Sequence, residues 1–443
     1  MFFPFFSFFP RFFLVFFPVV SFSLLSCASD AYARVDDAAE RGHYEESITA
    51  LEKDKNKIYK DPVLYYLDKG MLAHYARNYA DSIELLQDAE REIEEAFTKS
   101  VTQEIASYIL NDTAKDYPGE DYEDIYSNAF NALNYYHLNN YSGAMVEIRR
   151  MNEKLFFLSA KYGESAEELR ELAEKNAGEP PENESRSKFS NSALARYLGM
   201  LFYRSGRYYD DARIDRDMLK AAFAAYPGVY AHPVPQSVDE ELAVPPGKAR
   251  LNVLGFSGLS PVKEQETLRI PLLLPSLRYI KIALPALVER PSATARIEAV
   301  LNTGESFALE LLEDVSAVAR ETFKERVNIV YLKSIVRGSL KGVTSSVLGA
   351  AAEEMDNSAA GLALSILSLG AQVFAEASEQ ADLRGSRYFP AKVYVGGITV
   401  DPGVYSVTIN YYAKNGALLA SFTEDQIHIR ENKLNLVEAV CLK

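Results

Sequence analysis

Three sets of residues in this chain have types and spacings that could do chemistry. Cys27 and Cys441 are its only thiols, one at the end of an apolar leader and the other near the C-terminus. His43, His74, His137, His232 and His428 are its only imidazoles. None falls in an H-E-x-x-H pattern, and two isolated cysteines supply no zinc spacing. The chain has no G-x-S-x-G elbow, and no phosphate-binding glycine loop follows a strand. These patterns predict no metal, no cofactor and no enzymatic activity. The third set is Glu147, Arg149 and Arg150, with Tyr135 shortly before them. Residues 147 and 150 share a face if the segment is helical. They form either an internal ion pair or, with Tyr135, a clamp whose arginines take a partner's carboxylate.

Cys27 gains meaning from what precedes it. Residues 1–26 form an apolar, Phe-rich run with one charge, Arg11, ending in Leu24-Leu25-Ser26. The run resembles a bacterial lipoprotein signal, with Leu at −3, a small residue at −1 and then the cysteine that receives a diacylglycerol thioether. The resemblance implies cleavage before Cys27, a lipid anchor there and a short linker over 27–33. Ala28 and Ser29, with no Asp at +2, resemble outer-membrane sorting in a two-membrane cell. Cleavage after Ala31-Tyr32-Ala33, an uncleaved span (against which Pro4, Pro10 and Pro18 argue) and a later true start remain alternatives.

Residues 34–225 carry an internal repeat. Gly42-His43-Tyr44 with Ser47, Ile48 and Leu51 recurs as Asn78-Tyr79 with Ser82, Ile83 and Leu86. It recurs again as Asn140-Tyr141 with Ala144, Met145 and Ile148, and as Gly206-Arg207-Tyr208 with Ala212 and Ile214. Asp211 in the fourth copy stands where a small residue is expected and signals a possible one-residue slip. Gly70, Ala132 and Gly199 precede the later tyrosines by nine residues, where a small residue lets paired helices approach. This resembles the tetratricopeptide (TPR) repeat, a helical hairpin of 34 residues. The run Gly119-Glu120-Asp121-Tyr122-Glu123, Ala132-Leu133-Asn134-Tyr135 and Val146-Glu147-Ile148-Arg149-Arg150 resembles a family of Gram-negative envelope lipoproteins. That resemblance implies a role beside lipoprotein activators of cell-wall synthesis.

The second half changes period. A Pro-rich stretch over 226–247 reads as a linker. Strands are predicted at 250–256, 268–274, 279–284, 294–301 and 306–311, with a turn over 258–263 and a helix over 314–337. Residues 338–381 are rich in small residues and too short in apolar run for the roughly 20 residues a membrane span needs. They read as a packed helical hairpin, or else as a membrane-seeking or oligomerising helix. Residues 382–443 return to short strands at 392–395, 398–400, 405–409, 418–422, 427–429 and 434–440, around the turns Asp401-Pro402-Gly403 and Asn415-Gly416. Asp382 to Pro390 reads as a joint whose arginines pair acidic neighbours. The predicted class is α+β, with all-α repeats followed by a mixed region.

The chain has 443 residues, 47 basic and 62 acidic, for a net charge of −15. Nucleic-acid binding rests on neutralising phosphates, so this balance excludes it. The function expected is a lipid-anchored scaffold facing the periplasm. It would hold an envelope protein or peptide in the repeat groove. The alternative is an oligomeric component of a transport or secretion assembly.

Overall fold

The computed structural model describes residues 23–102, 116–161, 163–177, 189–274, 277–354 and 380–443. It is α+β. The helical half contains α1 (Ser23–Glu40), α2 (Tyr44–Ile58), α3 (Pro62–Tyr75), α4 (Tyr79–Thr102), α5 (Asp121–His137), α6 (Tyr141–Lys161), α7 (Gly163–Ala177), α8 (Ala193–Ser205) and α9 (Tyr209–Ala225). Four antiparallel hairpins, α1/α2, α3/α4, α5/α6 and α8/α9, share one turn. Gly42, Arg77, Asn139 and Arg207 take left-handed backbone at φ 79°, 65°, 58° and 64°. The next residue's N–H returns to a carbonyl five residues back: His43 to Ala38, Asn78 to Ala73, Asn140 to Tyr135 and Tyr208 to Tyr203, at 2.8–2.9 Å. This is the Schellman ending of a helix, which uses up orphan carbonyls at its C-terminus.

The repeated turn corrects the fourth register. Arg207 matches Gly42, so Tyr209, not Tyr208, stands where Tyr44, Tyr79 and Tyr141 stand. Ala212 then falls on the site of Ser47, Ser82 and Ala144. The small residues act as expected: a Cβ on Gly70 would come within 2.8 Å of the buried Leu86 side chain. Residues 27–33, expected as a linker, lie inside α1, whose backbone is helical from Ser23.

Beyond the helices come α10 (Ser237–Glu240), β1 (Ala249–Ser257), β2 (Val262–Leu274), β3 (Leu277–Val288), β4 (Thr294–Leu301), β5 (Ser306–Asp314), α11 (Val315–Glu354), β6 (Lys392–Val400), β7 (Gly403–Ala413), β8 (Leu418–Ile429) and β9 (Asn435–Cys441). Seven strands form one sheet in the order β8-β7-β4-β5-β6-β1-β9. β1 and β9 run parallel and the other neighbours antiparallel. The sheet curls until its edges β8 and β9 come close without pairing. Leu251, Val253, Ile297, Ala299, Val407 and Tyr411 fill its inside. A Cβ on Gly255 would lie 2.9 Å from Ile297, so β1 crosses this interior only as glycine. From the same strand Leu254 and Phe256 point the other way, into the core of the helical half. The alternation is that of a strand buried on both faces.

Several expected boundaries move. The 226–247 stretch is packed rather than a free linker: Val238 and Glu241 are fully buried, and Tyr230 donates to Glu313. The strand-rich segment and the C-terminal β region are one sheet, because β6 and β9 both pair with β1. The breaks expected at Gly396-Gly397 and at 423–426 are bridged, each side being one strand. β2 opens at Val262, inside an expected turn. α11 runs through residue 337 without interruption. Its first half joins α7 and the β2/β3 hairpin in a separate core of Leu169, Ile282, Leu332 and Val336. The hairpin expected over 338–381 lies largely outside the described residues.

Candidate functional site

The first helices of the hairpins turn toward the sheet, and their inner surface is filled by the chain's own segment 380–391. Ser386 N–H donates to Glu123 at 2.6 Å, and Ser386 Oγ and Arg387 N–H donate to Asp68 at 2.7 and 2.8 Å. Arg387 and Tyr388 reach Asp36 on α1, and Arg384 pairs with Asp382 and Asp61. Tyr388 and Phe389 are fully buried. The arginines of this joint do pair acidic neighbours, as the sequence suggested. Burial lifts Asp68 to about 6 against the hydrogen bonds it accepts from Tyr59, Arg387 and Ser386. Burial and the nearby Glu120 push Glu123 up to about 7. Each charged form is disfavoured by loss of water and favoured by its donors and by a nearby cation, Arg387 for Asp68 and Lys263 for Glu123.

A second polar centre joins the helices to the last strand. Glu438 of β9 accepts from His74 Nε2 at 3.1 Å and from His137 Nε2 at 2.6 Å. His74 Nδ1 lies 2.7 Å from Asn134 Oδ1. The Asn134 amide nitrogen donates to Ser82 Oγ at 2.8 Å, which fixes that side chain's orientation. Both nitrogens of His74 therefore face oxygen atoms of buried partners. Tyr79 stacks on His137 at 4.2 Å. Burial would raise Glu438, but the charge and N–H groups of His137 and His74 outweigh it and bring the carboxyl down to about 2.

Two clefts of about 560 and 580 Å³ open over this centre, along the gap between β8 and β9. Both are lined by Arg77, Tyr79 and Glu438. Where they meet, Arg77 reaches across the gap to Glu424 of β8 at 2.8 Å. Glu45 and Glu46 lie at one end, Arg430 and Lys433 at the other.

The residues singled out from the sequence sit elsewhere, between α4, α5 and α6. Glu147 is 2% exposed and accepts from Asn128 at 2.7 Å. Burial raises its carboxyl above the ordinary value. Arg150 reaches Glu147 at 3.5 Å and Glu90 at 3.2 Å, and Lys154 ties Glu90 to Asp124. Tyr135 is half-buried and accepts from Gln87 at 3.0 Å. Arg149 is exposed, on another face of α6. The helical ion pair expected between Glu147 and Arg150 is present, and the Arg149 and Arg150 side chains are both exposed. Cys441 is a free thiol buried inside the curled sheet; Cys27 lies in α1.

The sequence patterns point neither to His74 and His137 as a pair nor to Glu438. One signal was present: two of the five histidines end the first helix of a hairpin, five and four residues before its tyrosine. Among the described residues no group of three or more His, Cys, Asp or Glu is placed to hold a metal ion. No described helix is long and apolar enough to cross a membrane. Comparison of the chain with protein-family models, curated proteins and solved structures found no match.

Proposed function

We propose that this chain is a lipid-anchored envelope protein that acts as a non-catalytic scaffold. The observation that carries the reading is the hairpin repeated four times with one turn geometry, which supports a TPR-like array. Such arrays work by presenting surface to partners rather than by chemistry. The leader ending in Leu24-Leu25-Ser26-Cys27 supports attachment through a diacylglycerol thioether. Because α1 is helical through residue 27, the lipid would join the array with little slack. The inner surface is taken by residues 380–391, so partner contact falls to the hairpin-turn end and the outer helices. There Leu138, Tyr141, Val146, Tyr208, Tyr209 and Ile214 are exposed, an apolar content that suits a protein partner.

The test is metabolic labelling with a fatty-acid analogue, followed by membrane fractionation of wild type and Cys27→Ala. The reading expects both label and membrane association to vanish in the variant. An unlabelled wild type, or a variant still held by membranes, would count against the anchor. The alternative, an oligomeric envelope assembly, draws on α11, which runs on through the small-residue stretch to Glu354. Light scattering on the leaderless chain separates the two, a monomer excluding the assembly.

A further inference from the structure

We propose that the ribbon of β2 and β3, with the helix beside it, meets an anionic lipid surface at its far end. The two strands belong to no larger sheet. They pair from Val262 against Val288 to Leu274 against Leu277, with one shift after Pro271. Their base is fixed to the array. Lys263 pairs with Glu120, the residue before α5, and Arg326 of α11 pairs with the same carboxylate. Asp61, the N-cap of α3, accepts the Tyr117 N–H at 2.7 Å nearby. Tyr59, just before it, lies against Tyr32 of α1. The ribbon therefore leaves the array where α1, α3 and α5 begin, at the end away from the turns. Arg320 of α11 meets Glu289 at the ribbon's base, and Ile329, Leu332 and Val336 share a core with Ile282 further out. Helix and ribbon thus run outward side by side. From Arg326, α11 continues to Glu354, about 42 Å at 1.5 Å per residue. On β2 the residues from Glu264 to Leu268 are all exposed.

The outer part of this arm departs from the charge of the chain. Between Thr267 and Val288 the charged residues are Arg269, Arg278 and Lys281, and between Ser334 and Ala352 they are Arg337 and Lys341. That makes five bases and no acid in a chain of net charge −15. The same ribbon ends in Leu272-Leu273-Leu274 and Leu277. Bases gathered with an apolar end suit a surface that is negative outside and apolar beneath. An anionic bilayer is both: its headgroups attract each base, and the acyl boundary accepts the leucines. Four leucines fall far short of the roughly 20 residues that a span needs, so the contact is with the bilayer's surface. The proposal deepens the anchored reading and rests on it for its use, because a thioether at Cys27 would hold the start of α1, and with it this end of the array, at the membrane.

The test uses residues 27–443 with Cys27→Ala, so that no lipid is attached. Vesicles are phosphatidylcholine, alone or with an equal part of phosphatidylglycerol. Sedimentation should show binding to the mixed vesicles and not to phosphatidylcholine. Binding should be lost as NaCl rises from about 0.1 to 1 M, which shortens the screening length from about 10 to 3 Å. Each base near such a surface contributes about fivefold, so Arg269→Glu, Arg278→Glu, Lys281→Glu should cost about a hundredfold or more. Leu272→Ser, Leu273→Ser keeps the charge and should cost about tenfold or more. A polarity-sensitive dye on Ser276→Cys should shift to the blue on mixed vesicles. The same dye on Thr303→Cys, between β4 and β5, should not. These two chains keep the bases and leucines intact, so they decide the matter even if a charge or leucine variant fails to fold. No binding to mixed vesicles would overturn the proposal. So would a folded charge variant that binds as well as its parent, or a dye shift at residue 303 with none at 276. Fatty-acid labelling of Cys27 enters none of these readouts, so the surface contact and the anchor fail separately.

Discussion

At the scale of single residues the molecule is set by carboxylates buried among donors, and they pull in opposite directions with pH. Glu438 is depressed to about 2. A depressed carboxyl stabilises the fold above its unfolded value and loses that contribution as pH falls through the folded one. Between about pH 4.5 and 2 the contact of β9 with α3 and α5 should therefore weaken by a few kcal/mol. Asp68 and Glu123 are raised, to about 6 and 7. Their contribution is complete below the ordinary carboxyl range and is lost as pH rises through those values. Thermal melts across pH should peak in mild acid and fall on both sides. Glu438→Gln should remove the acid limb and cost about 2–4 kcal/mol, because it leaves His74 and His137 beside a neutral amide. Asp68→Asn should flatten the neutral limb, and an unchanged slope between pH 5 and 7 would contradict this account. None of this was legible beforehand: His74 and Glu438 are 364 positions apart, and no local pattern ties them.

At the scale of elements, the turns repeat more faithfully than the residues that make them. Glycine, asparagine and two arginines occupy the same left-handed position, which costs a non-glycine residue about 1–2 kcal/mol. Arg207 is exposed and has no ion pair among the described residues. Arg207→Gly should raise the melting temperature by a few degrees, equivalent to about 1 kcal/mol. Gly42→Ala should lower it by a similar amount, and opposite shifts would refute the shared turn. Helices here were legible because tyrosine, small and apolar positions recur with the helical period. The fourth register was misplaced because Tyr208 and Tyr209 are adjacent; Asp211 signalled the slip, and the left-handed Arg207 fixes it. In the sheet, Gly396-Gly397 and Thr423-Glu424-Asp425 looked like breaks. Their neighbours hold them in the ladder, since β6 lies between β1 and β5, and β8 is supported by β7.

At the scale of the whole molecule, a single core spans α1 to α6, α8 and α9 together with β1, β6 and β9. The helical half is therefore not a free-standing module. Residues 27–225 alone would expose the surface that Tyr388, Phe389, Phe256 and Leu436 cover. Large side chains of that kind contribute about 1.5–3 kcal/mol each when buried. The fragment should show helical circular dichroism without a cooperative melt, while the full chain melts in one step over this region. A cooperative fragment would restore the boundary at 226–247. The parallel pairing of β1 with β9 also bears on timing. Strand β1 is made early, yet its two neighbours lie 135 or more positions later, Lys392 against Ser257 and Asn435 against Leu251. A ribosome delivers about 5–20 residues each second, so β1 waits several seconds or more with both edges bare. Over that interval the nascent chain is a substrate for chaperones, and β1 is paired on both edges only once β9 has emerged.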